Sequence, residues 1–230
     1  MAPPVSFYLP FGKIAALTDR AKRASEEGMD GIAETGKIQP LADGRRERSR
    51  SSRRRIVEAM LQLIEQGDPV PSAARVAEVA GVGQRSVFRH FDDMDSLYRE
   101  MSAVIERRVM PIVAAPYAGP GWRDDVRDLI GRRARVFEAM LPYRLAAAIK
   151  GSQSPFLREE HARVLVMERD LLMRLLPATV KADTIGVEAL VAALSFQTWS
   201  SLRNDQRLSV ADATRVVAHS AGLLLDQLAD

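Results

Sequence analysis

The sequence predicts an all-helical fold, and three observations lead to that prediction. From residue 53 onward the apolar residues recur at spacings of three and four, the period of a helix that buries one face. No stretch shows the strict alternation of a half-buried strand, and the β-branched residues are scattered. Glycine and proline gather in short segments between the periodic stretches, where they would separate one helix from the next.

Length and composition limit the possible classes of protein. A chain of 230 residues, 47% of them hydrophobic, can bury one large core or two smaller ones. The absence of cysteine rules out disulfides and thiolate chemistry and favours a reducing, cytoplasmic location. No apolar run reaches the length of a membrane span, and the start of the chain lacks the pattern of a secretory signal, so we expect no membrane partner.

One short segment concentrates the positive charge. Residues 45 to 55, RRERSRSSRRR, hold seven arginines and one glutamate, a formal charge of +6, whereas the whole chain carries +3. A basic segment on a mildly acidic remainder indicates either a local contact with a polyanion or a solvated linker, and charge alone leaves both open. Residues 1 to 44 before it are interrupted by glycine and proline, and we expect a flexible extension there.

The first helices are expected just after the basic segment. The first runs from about Ser52 to Gln66, the second follows Ser72 as its N-cap, and the third runs from Gln84 to His90. Gly81 allows the turn between the second and the third. Further helices, the first of them capped by Asp92 or Asp93, are expected at about residues 94–109, 122–141, 143–150, 155–176, 183–204 and 210–228.

The second and third helices predict a helix-turn-helix. Ala77 is small where the two helices would cross, and Val82, Val87 and Phe91 would hold the third helix from behind. The outward flank of that helix would then carry Gln84, Arg85, Phe88 and Arg89. Glutamine can pair with adenine and arginine with guanine in the major groove, which a helix fits. The alternative is an ordinary pair of helices with a solvated face.

Residues 54 to 97 read RRIVEAMLQLIEQGDPVPSAARVAEVAGVGQRSVFRHFDDMDSL. The motif in this segment consists of Ser72, Val76-Ala77, Ala80-Gly81-Val82, Ser86-Val87-Phe88, His90-Phe91 and Leu97. It resembles the DNA-binding domain of TetR-family transcriptional regulators. The resemblance implies an N-terminal three-helix helix-turn-helix domain and a C-terminal helical ligand-binding and dimerisation domain. We therefore expect the extension over residues 1–44, the DNA-binding domain with its basic arm over 45–100, and the larger domain over 101–230.

The resemblance also implies which residues meet double-stranded DNA. Gln84, Arg85 and Ser86 would face bases, whereas Ser72 and His90 would lie near phosphates. Local roles are the alternatives, a helix cap for Ser72 and a local hydrogen bond for His90. The DNA-facing residues of the motif are thus Ser72, Gln84, Arg85, Ser86, Phe88, Arg89 and His90.

Three positions depart from the family pattern. Gly83 stands where Ser or Thr is usual, Phe88 where Tyr is usual, and Met94 where Lys is usual. The last two changes remove contacts to phosphates, which weakens DNA binding and its salt dependence. We hypothesise that the basic arm before the first helix replaces them in the adjacent minor groove, through Arg53, Arg54 and Arg55 together with Arg45, Arg46, Arg48 and Arg50.

The larger C-terminal half favours a binding module over an enzyme. Its histidines and acidic pairs lack the spacing of metal ligands or catalytic groups, and no glycine-rich phosphate loop is present, so we expect no catalytic residues, no metal and no cofactor. The last two long helices are apolar almost all round. They would pair with the same helices of a second copy, as the family resemblance also implies, giving a homodimer on a pseudo-palindromic operator.

The family resemblance implies a small-molecule pocket between the C-terminal helices. Its expected lining is Phe137, Met140, Met167, Phe196 and Trp199, with Arg144 or Gln197 as a polar anchor, which predicts an apolar effector. Such residues at helical spacing are also compatible with plain core. The sequence thus predicts a ligand-responsive repressor in which the effector shifts the fourth helix. A regulator without an effector and a non-specific DNA binder remain as alternatives.

Overall fold

The computed structural model describes residues 41 to 228, apart from the side chains of residues 41–43 and Arg45. The expected extension over residues 1–44 therefore lies outside the described residues except for its last four positions. Within the described range the chain forms helices and no strands, so the all-helical prediction is confirmed.

The elements follow one another along the chain with short connections. The first group consists of α1 (Leu41–Glu65), α2 (Ala73–Ala80), α3 (Gln84–His90) and α4 (Met94–Val113). The second group consists of α5 (Trp122–Lys150), α6 (Pro155–Leu175), α7 (Ala178–Ala182), α8 (Thr184–Ala193), α9 (Phe196–Ser200) and α10 (Val210–Gln227). A 3-10 turn (Gly151–Gln153) joins α5 to α6, and a π-helical turn (Ser201–Asp205) continues α9.

Two hydrophobic cores hold these helices together. The first core is formed by α1 to α4 and by the end of α5, which contributes Tyr143 and Ala146. The second core is formed by the rest of α5 and the helices after it. Helix α4 belongs to both, because Met101 and Ile105 lie in the first core and Val109 lies in the second. A displacement of α4 would therefore be felt in both cores.

The start of the first helix differs from the prediction. Helix α1 begins at Leu41 instead of near Ser52, so the expectation that the basic segment precedes the first helix is wrong. Arginine has a high helix propensity, and Glu47 offsets part of the charge repulsion. Its carboxylate lies 4.0 Å from Arg50 and 3.4 Å from Arg54, on the same side of the helix. The basic segment is therefore a helical ridge.

The long helix of the second group also differs from the prediction. Pro142 lies inside α5, which runs unbroken from Trp122 to Lys150, so the expected division near residue 142 is wrong. A proline inside a helix removes one backbone hydrogen bond and crowds the preceding turn. Phe137 and Tyr143 on either side of it are buried, one in each core. Burial of these two rings offsets the local cost and keeps the helix continuous.

The prediction of one continuous helix over residues 183–204 is also wrong, because the helix ends at Ala193. The carbonyl of Leu194 accepts a hydrogen bond from the buried Arg133 guanidinium at 2.6 Å. Ser195 then caps α9 by accepting from the backbone N–H of Thr198 at 3.2 Å. A carbonyl held by a side chain and a new cap at the next residue end one helix and start another.

Side-chain caps begin four helices at the positions where the sequence predicted helix starts. Ser72, Asp93, Ser154 and Ser209 each accept a hydrogen bond from the backbone N–H three residues further on, at 2.6 to 3.2 Å. These caps satisfy backbone donors that have no partner inside the helix. The predicted starts of α2, α4, α6 and α10 are thus confirmed.

Candidate nucleic-acid interface and cavity

The turn between α2 and α3 has the geometry of a helix-turn-helix. Gly81 adopts a left-handed conformation with φ 61° and ψ 41°, which a residue with a side chain adopts only at a cost. The backbone N–H of Val82 donates to the carbonyl of Ala77 at 3.0 Å and closes the end of α2. Helix α3 then starts after Gly83 without a side-chain cap, because glycine has no side chain to accept a hydrogen bond.

The inner side of α3 is fixed to the first core. Val87 and Phe91 are buried, and Val82 is half-buried against the same cluster. Arg53 of α1 lies over the Phe91 ring, with its guanidinium carbon 4.2 Å from the ring centroid. The same guanidinium donates to Glu100 of α4 at 2.5 Å and to the carbonyl of His90. The end of α3 is thus held by α1 and α4 together.

The outer side of α3 is exposed. Gln84, Arg85 and Arg89 are exposed, and the Phe88 side chain is 62% exposed although it is a large apolar group. Ser86 is half-buried, and its hydroxyl accepts a hydrogen bond from Arg89 at 3.2 Å. Arg85, Phe88 and Arg89 are three and four residues apart, so they share one face of the helix. This face has the length and chemistry that a DNA groove accepts.

The two residues expected near phosphates differ in their surroundings. Ser72 is exposed and caps α2, where it accepts from the N–H of Arg75. His90 is half-buried, and its Nε2 is buried with no hydrogen-bond partner among the described residues. Burial lowers the pKa of His90, and the positive charges of Arg89 and Arg53 lower it further. The imidazole is therefore held in its neutral form at neutral pH.

The arginines of the basic segment divide into two sets. Arg53 is half-buried and contacts Phe91, Glu100 and the His90 carbonyl, so its side chain positions α3. The hypothesis that Arg53 extends outward as part of a basic arm is therefore wrong. The exposed set on the helical ridge consists of Arg46, Arg48, Arg50, Arg54 and Arg55.

A large cavity lies between the first and second groups of helices. Its volume is about 990 Å³, at the upper end of the range for small-molecule pockets. Met140, Met167 and Phe196 line it, as do both expected anchors, Arg144 and Gln197. Two of the expected lining residues, Phe137 and Trp199, lie instead in the second core.

The packing of three aromatic rings explains why Phe137 and Trp199 do not reach the cavity. Phe137 meets the edge of the Phe196 ring at a centroid distance of 5.5 Å and lies 6.5 Å from Trp199, and both are almost fully buried. The indole N–H of Trp199 donates to Glu138 at 2.8 Å, which satisfies its one polar atom. Phe196 thus faces the cavity, and the other two rings support it from the core side.

Sequence reasoning missed the contribution of the first group of helices. Met60 and Ile64 of α1 line the cavity, together with Tyr98, Met101 and Ile105 of α4. A usable signal was present, because methionine is enriched at adaptable binding surfaces. Of the nine methionines, six line the cavity: Met60, Met94, Met101, Met110, Met140 and Met167.

One polar cluster connects the cavity wall to α1. Tyr143 lines the cavity, and its hydroxyl donates to the carboxylate of Glu65 on α1. Arg108 of α4 donates to Glu65 at 2.9 Å, to the Tyr143 hydroxyl at 3.0 Å and to Glu58 at 3.0 Å. Burial raises the pKa of Tyr143, and its hydrogen bond to Glu65 raises it further, so the hydroxyl stays protonated as the donor.

Residues 41–228 contain neither a metal-binding cluster nor a membrane-spanning helix. No group of His, Asp or Glu in that range is arranged to hold a metal ion. No helix in the part of the chain that the structure describes is long and apolar enough to cross a membrane.

The described part of the chain is all-helical, and α2 and α3 form a helix-turn-helix whose outer flank is exposed. The fold is similar to the crystal structure of a transcriptional regulator from Rhodococcus sp. Rha1, with a TM-score of 0.60 and 19% sequence identity. The likeness covers 76% of this chain and 96% of that chain, and at this identity it establishes the fold. No protein-family model and no curated protein matches the sequence.

Proposed function

We propose that this chain is a sequence-specific, double-stranded-DNA-binding transcriptional regulator of the TetR type. In this proposal residues 45–100 form the DNA-binding domain, and residues 101–230 form the ligand-binding and dimerisation domain. The observation that carries it is the division of α3 into two sides. Val87 and Phe91 are buried, and the flank with Gln84, Arg85 and Arg89 is exposed.

Selection of bound sequences from a random DNA pool tests this proposal. A homodimer presents two copies of α3 related by a two-fold axis, so the expected product is an inverted repeat. Its half-sites would have centres one helical turn, about 34–36 Å, apart. A pool that stays random after repeated rounds would contradict sequence-specific binding. It would favour non-specific binding of DNA through the exposed arginines of the helical ridge, called the basic ridge below.

The basic ridge supplies the next prediction. Replacing Arg46, Arg50 and Arg54 with glutamine should flatten the dependence of DNA affinity on salt, by about 0.9 in the log–log slope for each lost phosphate contact. All three side chains are exposed, and a helix that extends beyond the first core can follow a DNA backbone. The measurement is the binding constant for a selected DNA site at several salt concentrations.

The control for this prediction removes the same charge elsewhere. Glutamine replaces three other exposed arginines, Arg107, Arg135 and Arg174. That variant should keep the slope of the unmodified protein. If both triple variants change the slope equally, the ridge acts only through net charge, and its proposed contact with phosphates is wrong.

The dimer in this proposal uses the outer faces of the last helices. Val216 and Leu223 are exposed apolar residues of α10 and lie seven residues apart, so they share one face of the helix. The exposed His219 and Ser220 lie between them on the same face and complete one stripe. Ile185, at the start of α8, is also a highly exposed apolar residue. These apolar groups support pairing with the same helices of a second copy.

A charge placed in this stripe tests the dimer. Leu223→Glu should shift the protein toward the monomer, because the two-fold axis places two new carboxylates in one apolar interface. Sedimentation velocity over a range of concentrations measures the change. Val166→Glu is the matched control, since Val166 is also an exposed apolar residue but lies on α6. A dimer that survives Leu223→Glu unchanged would exclude this face.

A response to a small-molecule effector is the last part of the proposal. A cavity of about 990 Å³ supports a ligand-responsive regulator. A regulator without an effector would be expected to have this space filled by side chains. The cavity is lined by α1 and by α4, and α4 belongs to both cores. An effector that fits one position of α4 better than another would shift the balance between DNA-binding and released states. Repression corresponds to the effector-free protein binding DNA.

A further inference from the structure

Two arginines and one glutamate lie together beside the cavity. Arg144 donates to the Glu168 carboxylate at 2.5 Å, and their side chains are only 11% and 13% exposed. Arg133 is buried next to them and donates to two backbone carbonyls, those of Leu194 and Glu168. These three side chains carry two positive charges and one negative charge, a net of +1.

Among the described residues, Glu168 is the carboxylate that lies against these two arginines. Burial lowers the pKa of both Arg133 and Arg144, and the Glu168 carboxylate opposes this shift at each of them. Tyr117 also opposes the shift at Arg133. A buried charge without a partner is unfavourable, because the protein interior solvates it poorly. The group would therefore be stabilised by one further negative charge.

Arg144 is the member of the group that can receive a ligand. It lines the cavity, and its guanidinium carbon lies 3.7 Å from the centroid of the Phe196 ring, which also lines the cavity. Its Nη2 is buried and has no hydrogen-bond partner among the described residues. A buried polar side-chain atom normally has at least one hydrogen-bond partner, so an acceptor oxygen is expected at this point.

The rest of the nearby wall is apolar. Val136, Met140, Val164 and Met167 line the cavity together with Phe196. Charged residues of both signs also line the cavity, but they lie at half-buried or exposed positions, where water screens them. They are Asp95, Glu106, Lys150, Arg158, Glu160, Arg163 and Asp205. The positive charge that a ligand would meet away from water is therefore that of Arg144.

We propose that the cavity takes a monoanionic amphiphile, with an apolar body against the methionine-rich wall and a carboxylate-like head group on Arg144. This inference rests on the proposed ligand response and names the chemical class of its effector. A carboxylate supplies both the missing charge and the missing acceptor. A neutral alcohol supplies only an acceptor, and an ammonium group supplies neither.

Calorimetric titration of the full chain without DNA tests the class of ligand. The probes are straight-chain fatty acids from hexanoate to tetradecanoate, with the alcohol and the alkylammonium ion of each length. At the best length the acid should bind roughly ten- to hundredfold more tightly than the alcohol, the advantage of a hydrogen bond to a charged group. The ammonium ion should bind most weakly. Equal binding of acid and alcohol, or no binding of any acid, would overturn the proposal.

Two variants separate the charge from the general properties of the cavity. Glu168→Gln removes the negative charge and keeps the side-chain shape, so it should tighten acid binding several-fold and leave alcohol binding unchanged. Arg144→Met combined with Glu168→Gln removes the donor without leaving a buried carboxylate unpaired, and it should abolish the preference for the acid. Arg158→Met is the matched control, an exposed arginine that also lines the cavity, and it should preserve that preference.

Alcohol binding serves as the check that each variant is folded with its cavity intact. Weaker acid binding in Glu168→Gln, or an unchanged preference in the double variant, would overturn the role of Arg144. Release of the protein from DNA is measured separately with the best acid. Acid binding without release would contradict the proposed ligand response and leave the ligand class standing, whereas release by the alcohol alone would do the reverse.

Discussion

Replacing Arg85 with alanine is expected to weaken binding to the selected DNA site by about 1–3 kcal/mol per half-site, the range for one bidentate contact to a base. Arg85 is exposed on the outer flank of α3, near the start of the helix, where side chains reach base edges. Sequence preference at one base pair of each half-site should relax together with the affinity. Fluorescence anisotropy with the selected site and with single-base variants of it measures both changes.

The control for Arg85→Ala is Arg107→Ala, an exposed arginine in the middle of α4. Its loss changes the net charge equally, so it should reduce affinity only slightly and leave sequence preference intact. An Arg85→Ala protein that weakens selected and random DNA by the same factor would show that Arg85 contacts the backbone. An unchanged affinity would contradict a DNA-reading role for this flank.

Replacing Phe91 with alanine is expected to lower the free energy of unfolding by about 3–5 kcal/mol, the usual range for a buried phenylalanine. The Phe91 side chain is 5% exposed in the first core and supports the Arg53 guanidinium at 4.2 Å. Its removal leaves a cavity under α3 and loosens the contact between α1 and the end of that helix. Urea unfolding followed by circular dichroism measures the loss.

Phe88→Ala is the matched substitution on the opposite side of the same helix. Phe88 is 62% exposed, so the free energy of unfolding should change by no more than about 0.5 kcal/mol. Affinity for the selected DNA should fall instead, because an exposed ring can pack on a sugar or a thymine methyl group. If Phe88→Ala destabilised the protein more than Phe91→Ala, the assignment of the inner and outer sides of α3 would be reversed.

Much of the local structure could be predicted because short-range interactions decide it. Helix α3 has the predicted bounds, Gln84 to His90, since Gly81 makes the turn and Val87 and Phe91 are four residues apart on one face. Capping residues predicted helix starts for a similar reason, because a cap bonds to a backbone group three residues away. Each of these signals lies within a few residues of the feature that it determines.

The candidate cavity could be predicted only in part. Met140, Met167 and Phe196 were expected to line the pocket that the family resemblance implies, and they line the cavity. Phe137 and Trp199 have the same residue types and the same helical spacing but belong to the core. Periodicity indicates that a side chain points inward, and it does not distinguish a packed interior from an open one. The contribution of α1 depends on contacts between residues far apart in the chain.

The sequence by itself determined the helical class, the helix-turn-helix and the concentration of arginine before it. The tertiary structure alone decided that α5 continues through Pro142, that the next long helix breaks after Ala193, and that Arg53 turns inward. In each case a contact with residues distant in sequence outweighs the local preference. The residues on either side of Pro142 are buried in two different cores, and the Arg133 side chain binds the carbonyl of Leu194. The Phe91 ring lies against the Arg53 guanidinium. Such partners meet only when the chain is folded, so no local pattern records them.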